Sequence, residues 1–186
     1  MTPSSGDAME MSYRAIPPKD EQTLQYIYER LRSEDLLWTV YPEVDPEEWT
    51  LERFYSIHQA PLHVLAGYVD GEMAGVMLSW PFRESWKTRV LEIGLTAFRK
   101  YFAQAVPLCR GALLWACDHL QPVQPTAIIG RVACPSHHIL RLLDAVGFSR
   151  LGKVPGLCWY TRRQTHVDGW LVMATPESIQ ATVEVE

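Results

Sequence analysis

Residues 88–121 read TRVLEIGLTAFRKYFAQAVPLCRGALLWACDHLQ, and the period of that stretch changes halfway along it. In its first part Leu91, Ile93, Leu95 and Ala97 fall on one side, and Val90, Glu92, Gly94, Thr96 and Phe98 on the other. A period of two predicts a strand with one apolar and one mixed face. From Pro107 onward the spacing becomes helical, with Leu113, Leu114, Cys117 and Leu120 along one side. Proline suits a first helical turn, where its missing N–H would lack a partner in any case. The stretch therefore predicts strand, short loop, buried helix. Such a loop turns backbone N–H groups and a helix dipole toward whatever lies ahead, and an anionic group fits there.

The rest of the composition sets bounds. At 186 residues the chain reads most simply as one domain, 1–186, with 47% hydrophobic and 21% charged residues, ordinary values for a soluble protein. Its apolar runs are too short to span a bilayer, and its first residues lack the layout of a secretory signal. Cys109, Cys117, Cys134 and Cys158 form no CxxC pair and no zinc-like spacing. They read as reduced thiols of a cytoplasmic protein without a metal or a membrane partner. A net charge of −5 argues against nucleic acid as a partner. Between Arg83 and Arg110, however, six bases (Arg83, Lys87, Arg89, Arg99, Lys100, Arg110) face only two acids (Glu84, Glu92). That local excess brackets the loop. It is either a solvated face or the counterpart of a phosphate-bearing ligand.

Outward from the central stretch, the chain alternates strands and helices. Residues 1–10 are small and polar and are expected to be loose. Met11–Ile16 reads as a strand, and Lys19–Arg32 as a helix burying Leu24, Ile27, Tyr28 and Leu31. Asp45-Pro46-Glu47-Glu48 predicts a capped helix running to about His58. Leu62–Val69 and Met73–Ser79, joined by Asp70-Gly71, predict a hairpin. Trp80–Lys87 reads as a loop. After the central stretch, Thr126–Ala133 is a short buried strand. Ser136 opens a helix lined by Ile139, Leu142, Leu143 and Val146 and ended by Gly147. Leu157–Arg162 and Trp170–Ala174 predict a final strand pair around Asp168-Gly169, and residues 177–186 are expected to be loose.

This order, together with two local matches, resembles the GNAT superfamily of N-acetyltransferases from Met11 to Thr175. The first match is VACPSHHILRLLDAVGF, residues 132–148, followed by Gly152. It is similar to the family's strand, polar helix start and "RLLEKxGF" helix. The second is Glu92-Ile93-Gly94, similar to the "EIG" of the family's fourth strand. The resemblance implies an α/β fold whose mixed, mostly antiparallel sheet is flanked by helices and splayed between its fourth and fifth strands. It implies acetyl-CoA in that splay as co-substrate and a small-molecule or peptide amine as acceptor. Main chain at Leu95, Thr96 and Ala97 would contact the pantetheine arm. Phe102, Ala103, Gln104, Ala105, Val106 and Pro107 would stand where the family has its Q/R-x-x-G-x-G/A phosphate loop, and Ser136 at the start of the following helix. Ala105 and Pro107 replace the usual glycines, and proline removes a donor. Leu143 stands where many members place a Tyr that protonates the departing thiolate.

Acyl transfer to an amine needs the amine neutral and its partner carbonyl polarised. Glu92 is the candidate base, as the only acid between Trp86 and Asp118; a salt-bridged strand carboxylate is the alternative. Tyr160, on a late strand, is the candidate general acid in place of Leu143, with core packing as the alternative. Arg99, Lys100 and Arg110 could replace the lost loop donors by charge. Cys109 is either an activated or an inert thiol. His137 and His138 are adjacent and diverge on a helix, so they do not share a metal. Trp38, Tyr41, Trp49, Phe54 and Tyr55 would form an acceptor pocket or core, with Trp49 and Phe54 read as core. Three readings remain open: an acyl-CoA-dependent N-acyltransferase, a non-catalytic GNAT-fold binding or assembly protein such as a phage or prophage could encode, and a sensor that binds CoA without transfer. Each is compatible with an oligomer.

Overall fold

A computed structural model of the chain describes residues 9–41, 46–58, 63–82, 89–120, 124–160 and 163–183. Seven strands form one sheet: β1 (Met11–Ile16), β2 (His63–Val69), β3 (Glu72–Pro81), β4 (Val90–Ala97), β5 (Ala127–Ala133), β6 (Ser149–Tyr160) and β7 (Thr165–Ala174). Their order in the sheet is β1-β2-β3-β4-β5-β7-β6. Every neighbouring pair is antiparallel except β4 and β5, which run parallel. A parallel step needs a crossover, and α4 (Ala105–His119) supplies it. The mixed, mostly antiparallel sheet expected from the sequence is the one present.

Alternation along the strands sorts side chains between two helical layers. Val64, Ala66, Val76 and Leu78 pack with α1 (Glu21–Ser33), α2 (Leu37–Val40) and α3 (Leu51–His58) on one face. Leu65, Met77, Leu91, Ile93, Ile128 and Val172 pack on the other face with α4, α5 (His137–Ala145) and α6 (Pro176–Ala181). Each large side chain removed from water contributes roughly 1.5–3 kcal/mol, and Phe54, Leu24, Leu31, Leu113 and Ile128 are among those fully buried. Asp20 caps α1, its carboxylate accepting from the Thr23 N–H at 3.2 Å. The helix buries Leu24, Ile27, Tyr28 and Leu31, the face that its spacing predicts. The β2–β3 turn is made by Asp70 and Gly71, both left-handed at φ 49° and 78°, the geometry that twists a two-residue hairpin correctly.

Gly94 lets the layers meet closely. A Cβ there would lie 2.1 Å from the Val40 carbonyl oxygen at the end of α2. The helix backbone is seated directly on β4.

Local expectations change at several places: Trp80 and Pro81, read as loop, belong to β3, and β6 begins at Ser149 rather than Leu157. The single helix expected from Asp45 to His58 is a 3-10 turn at Pro46–Glu48 followed by α3; Asp45 itself lies outside the described residues. Thr50 separates the two because its hydroxyl accepts from the Arg53 N–H and its carbonyl from the Phe54 N–H. Asp168-Gly169 is not a turn but the middle of β7, opposite a register break between Val154 and Cys158 on β6. The Asp168 carboxylate holds that bulge, accepting from the Gly156 N–H and pairing with Lys153 at 2.9 Å. A second register break falls between Arg150 and Gly152. Residues 177–183 are not loose. They belong largely to α6, where Thr175 and Ser178 form a reciprocal cap and Ile179 is fully buried. Of residues 1–10, positions 1–8 lie outside the described residues, and Glu10 is tied to Asp70 by main-chain and side-chain bonds. A further change, in the loop after β4, belongs to the site.

Candidate functional site

The parallel ladder between β4 and β5 is short. It joins Val90 to Ala127, Leu91 to Ile128 and Glu92 to Ile129, and then stops. β5 continues to Ala133 paired with β7, and β4 continues to Ala97 paired with β3. The two strands thus diverge from an apex at Glu92 and Ile129. Main-chain groups alternate along a strand. The Arg89 carbonyl accepts from the Thr126 N–H on the β5 side, and the Phe98 N–H donates to the Ala74 carbonyl on the β3 side. By that alternation the groups of Ile93, Leu95 and Ala97 face the gap. Paired groups are the rule for backbone in folded proteins, so this limb of the V presents an unused strand edge. Part of it is engaged at the far end, where the Thr96 hydroxyl donates to the Ala97 carbonyl at 3.1 Å.

Two buried polar atoms stand at the ends of the strands that form the V. Ser136, 2% exposed, precedes α5 just beyond the end of β5. Its N–H donates to the Ala133 carbonyl, while its hydroxyl has no partner among the described residues. Gln104 precedes α4 beyond the end of β4, and its side-chain oxygen is likewise buried without a partner there. Unsatisfied buried groups cost roughly 1–3 kcal/mol each.

The segment 102–107 differs from the loop that the sequence predicts. Arg99–Gln104 winds into a 3-10 turn that runs straight into α4 at Ala105. The Tyr101 and Ala105 N–H groups donate to the Phe98 and Phe102 carbonyls. With no glycine to open the backbone, these two donors are turned inward, and Pro107 has none to offer. Phe102 and Ala103 point to solvent, and Ala105 and Val106 are half-buried. The neighbouring bases are also engaged. Arg99 donates from its backbone N–H and its Nε to Glu34, Lys100 pairs with Glu72, and Arg110 is buried and reaches the Ala145 carbonyl. Arg83 and Lys87 lie outside the described residues.

Glu92 sits at the apex, 9% exposed, on the face toward α2. The Trp80 indole N–H on β3 donates to its Oε2 at 3.0 Å, and Arg131 on β5 pairs with its Oε1. Burial pushes the carboxyl up and the Trp80 N–H opposes that shift. Burial also pushes the Arg131 guanidinium down. The contact between the two charges opposes the desolvation of each. One carboxylate thus bridges three strands where main-chain pairing ends. Neither Arg131 nor Trp80 stands out in a reading for catalytic motifs. The available signal was a lone charge inside the otherwise apolar strand AIIGRVA, which demands a partner.

Tyr160 is not brought to this place. It ends β6, paired with Thr165, beyond the point where β5 stops opposite Gly169. It is also two strand spacings from β5, roughly 10 Å. Leu143 is buried in the α5 core. Burial pushes the Cys109 thiol up to about 12, which makes it an inert core group. In the expected acceptor region Tyr41 and Trp49 stack with ring centroids 3.9 Å apart, buried, and Phe54 is core. Trp38 is half-buried, its indole N–H donating to the Asp35 carbonyl. Tyr55 donates to the Glu21 carbonyl. Among the described residues no helix is long and apolar enough to cross a membrane, and no group of three or more His, Cys, Asp or Glu is placed to hold a metal.

No family model and no curated protein matches the chain in sequence. Solved structures match it in shape. Spermidine N-acetyltransferase from Vibrio cholerae, solved in complex with CoA and spermine, aligns with TM-score 0.72 at 13% identity over 91% of this chain and 98% of that one. An acetyltransferase of the GNAT family from Streptococcus pneumoniae aligns with TM-score 0.64 at 15% identity, over 89% and 99% of the two chains. An uncharacterised protein from Bacillus halodurans gives 0.69 at 11% identity, over 95% and 89%. At these identities the likeness is one of fold, and that fold is the GNAT fold.

Proposed function

We propose that the protein transfers an acyl group from acyl-coenzyme A to the amine of a small molecule or peptide. The observation that carries this reading is the V between β4 and β5. One limb offers the strand main chain of Ile93, Leu95 and Ala97, and the buried oxygens of Ser136 and Gln104 follow the strand ends. An amide-bearing arm laid in the gap would pair with the main chain of Leu95 and Ala97 as a strand does, while the main chain of Thr96, expected to share in that contact, turns toward β3. Acetyl-CoA as co-substrate has such an arm and would supply an activated thioester carbon. An N–H of β4 aimed into the gap favours negative charge developing there. Glu92 faces the α2 side, where an acceptor would lie, and takes up its proton; no metal is needed for these roles.

The residues of the V fit the arm of coenzyme A. The segment 102–107 fits a cradle for its diphosphate poorly, because the Ala105 N–H is turned to the Phe102 carbonyl and Pro107 has no donor. That segment favours a second reading, a GNAT-fold binding or assembly protein without catalysis. Calorimetric titration with acetyl-CoA separates the two. The enzyme reading expects saturable binding that weakens in Ser136→Val. No heat at millimolar acetyl-CoA would favour the second.

A further inference from the structure

Beside the turn that ends α1 lies a cavity of about 160 Å³. Leu31, Arg32, Asp35, Leu37 and Glu47 line it, and none of them belongs to the sheet. Two main-chain bonds fix the turn. The Leu36 N–H donates to the Leu31 carbonyl at 2.7 Å, and the Asp35 N–H to the Arg32 carbonyl at 3.1 Å. This paired closure favours glycine just after the helix cap, because the residue there turns left-handed. Here Asp35 takes that place, at φ 53°. An aspartate tolerates such a turn when its carboxylate bonds locally. Among the described residues only main-chain atoms of Asp35 are engaged, its carbonyl by the Trp38 indole N–H at 2.8 Å. A strained position is thus held by a carboxylate that the fold leaves unused, which is how functional positions are marked.

Arg32 brings the opposite charge to the same cavity. One N–H of its guanidinium is fixed on the Tyr28 hydroxyl at 2.9 Å, and that hydroxyl donates to the Trp49 carbonyl at 2.6 Å. The rest of the fork meets no carboxylate among the described residues, Asp35 included. We infer that the cavity binds a free amino acid with an apolar side chain. Its carboxylate meets Arg32, whose planar fork matches two oxygens, and its ammonium meets Asp35. Its side chain lies against Leu31 and Leu37, both buried. Charge decides the class. An amine alone leaves Arg32 without an anion, a carboxylic acid alone leaves Asp35 without a cation, and a zwitterion matches both. Glu47 also lines the cavity and disfavours a second carboxylate. The volume lies below the roughly 300–1,000 Å³ of sites for larger ligands, so one amino acid fits the space better than a nucleotide.

The inference concerns this cavity alone and does not rest on acyl transfer. The Trp38 indole N–H donates to the Asp35 carbonyl, so its resonance reports on the turn. The 15N-labelled protein is titrated with leucine, with isoamylamine and with 4-methylpentanoate, which lack only the carboxylate and only the ammonium respectively. Trp38→Phe assigns the signal. Leucine should shift it saturably and bind at least about threefold more tightly than either analogue, within the range of one exposed ion contact. Arg32→Met should bring leucine down to the affinity of isoamylamine. Asp35→Gly should bring it down to that of 4-methylpentanoate while raising the urea midpoint, because glycine takes the left-handed turn without strain. A signal that leucine does not move, an analogue that binds as tightly as leucine, or a preference that survives in either variant would each overturn the inference. A lowered midpoint in Asp35→Gly would overturn it too, since Asp35 would then be serving the turn.

Discussion

Replacing Gly94 by alanine tests how tightly α2 is seated on β4. The new Cβ would lie 2.1 Å from the Val40 carbonyl oxygen and 2.7 Å from both the Val40 carbonyl carbon and Cα. These are main-chain atoms and cannot rotate aside. Restoring ordinary contact needs a shift of about 1 Å between helix and strand. Overpacking of this kind costs roughly 1–3 kcal/mol. Withdrawing α2 also loosens Leu37 and Val40, now 3% and 0% exposed, and full burial of such a side chain is worth roughly 1.5–3 kcal/mol. Partial loss of that burial gives an expected destabilisation of about 2–4 kcal/mol. Gly67→Ala is the internal control. Its Cβ would meet the end of the Leu108 side chain at 2.9 Å, which can turn away for about 1 kcal/mol. Urea unfolding followed by tryptophan fluorescence measures both. Equal losses in the two variants, or an unchanged midpoint in Gly94→Ala, would refute a backbone-on-backbone contact.

The remaining predictions concern the base, pH and a cap. Glu92→Gln should reduce turnover by about 10²–10⁴-fold at neutral pH, recovering at high pH where the amine is already neutral. It should also lose stability by removing the carboxylate charge that faces Arg131. Adding Arg131→Met should restore the urea midpoint but not turnover, whereas recovery of both together would reassign Glu92 to structure. Stability should fall above pH 9. Burial raises Cys109 to about 12 and Cys117 and Cys158 to about 11, so between the unfolded and folded values the native state keeps protons that the unfolded state has lost. The unfolded state then binds fewer protons and stability declines with rising pH. Cys109→Ala should flatten that decline, measured as the urea midpoint from pH 8 to 11; an unchanged slope contradicts the assignment. Thr175→Ala removes half of the reciprocal cap of α6 and should cost about 1 kcal/mol, read as the shift in thermal midpoint.

Much of the fold was legible because it depends on period. The alternation of Leu91, Ile93 and Leu95 and the 3.6-residue spacing of Leu24, Ile27, Tyr28 and Leu31 say which face is buried, whatever lies opposite. The apex was only half legible. Glu92 could be found as a lone acid on a mixed face. Its partners Trp80 and Arg131 are 12 and 39 positions away along the chain and meet it through strand register, which local pattern does not encode. The Asp168-Gly169 pair misled for a similar reason. The residues that favour a tight turn also suit a strand facing a bulge, and only the pairing partner tells them apart. The 3-10 winding of Arg99–Gln104 follows from what happens to donors when no glycine opens the loop, a competition settled in three dimensions.

The register breaks of β6 bear on how the molecule behaves in a crowded solution. β6 is the last strand of the sheet, twelve residues long, with Leu151 and Val154 52% and 39% exposed. A flat edge of that length would be a template for a strand from another molecule. The shifts at Arg150/Gly152 and Val154/Cys158 divide it into runs of at most three residues in register, and Arg150 and Lys153 place charge beside the apolar positions. An incoming strand would lose step before it gained a stable ladder. Removing the larger break by deleting Pro155 and Gly156 together should therefore increase self-association, read by light scattering, even though the rest of the sheet is unchanged.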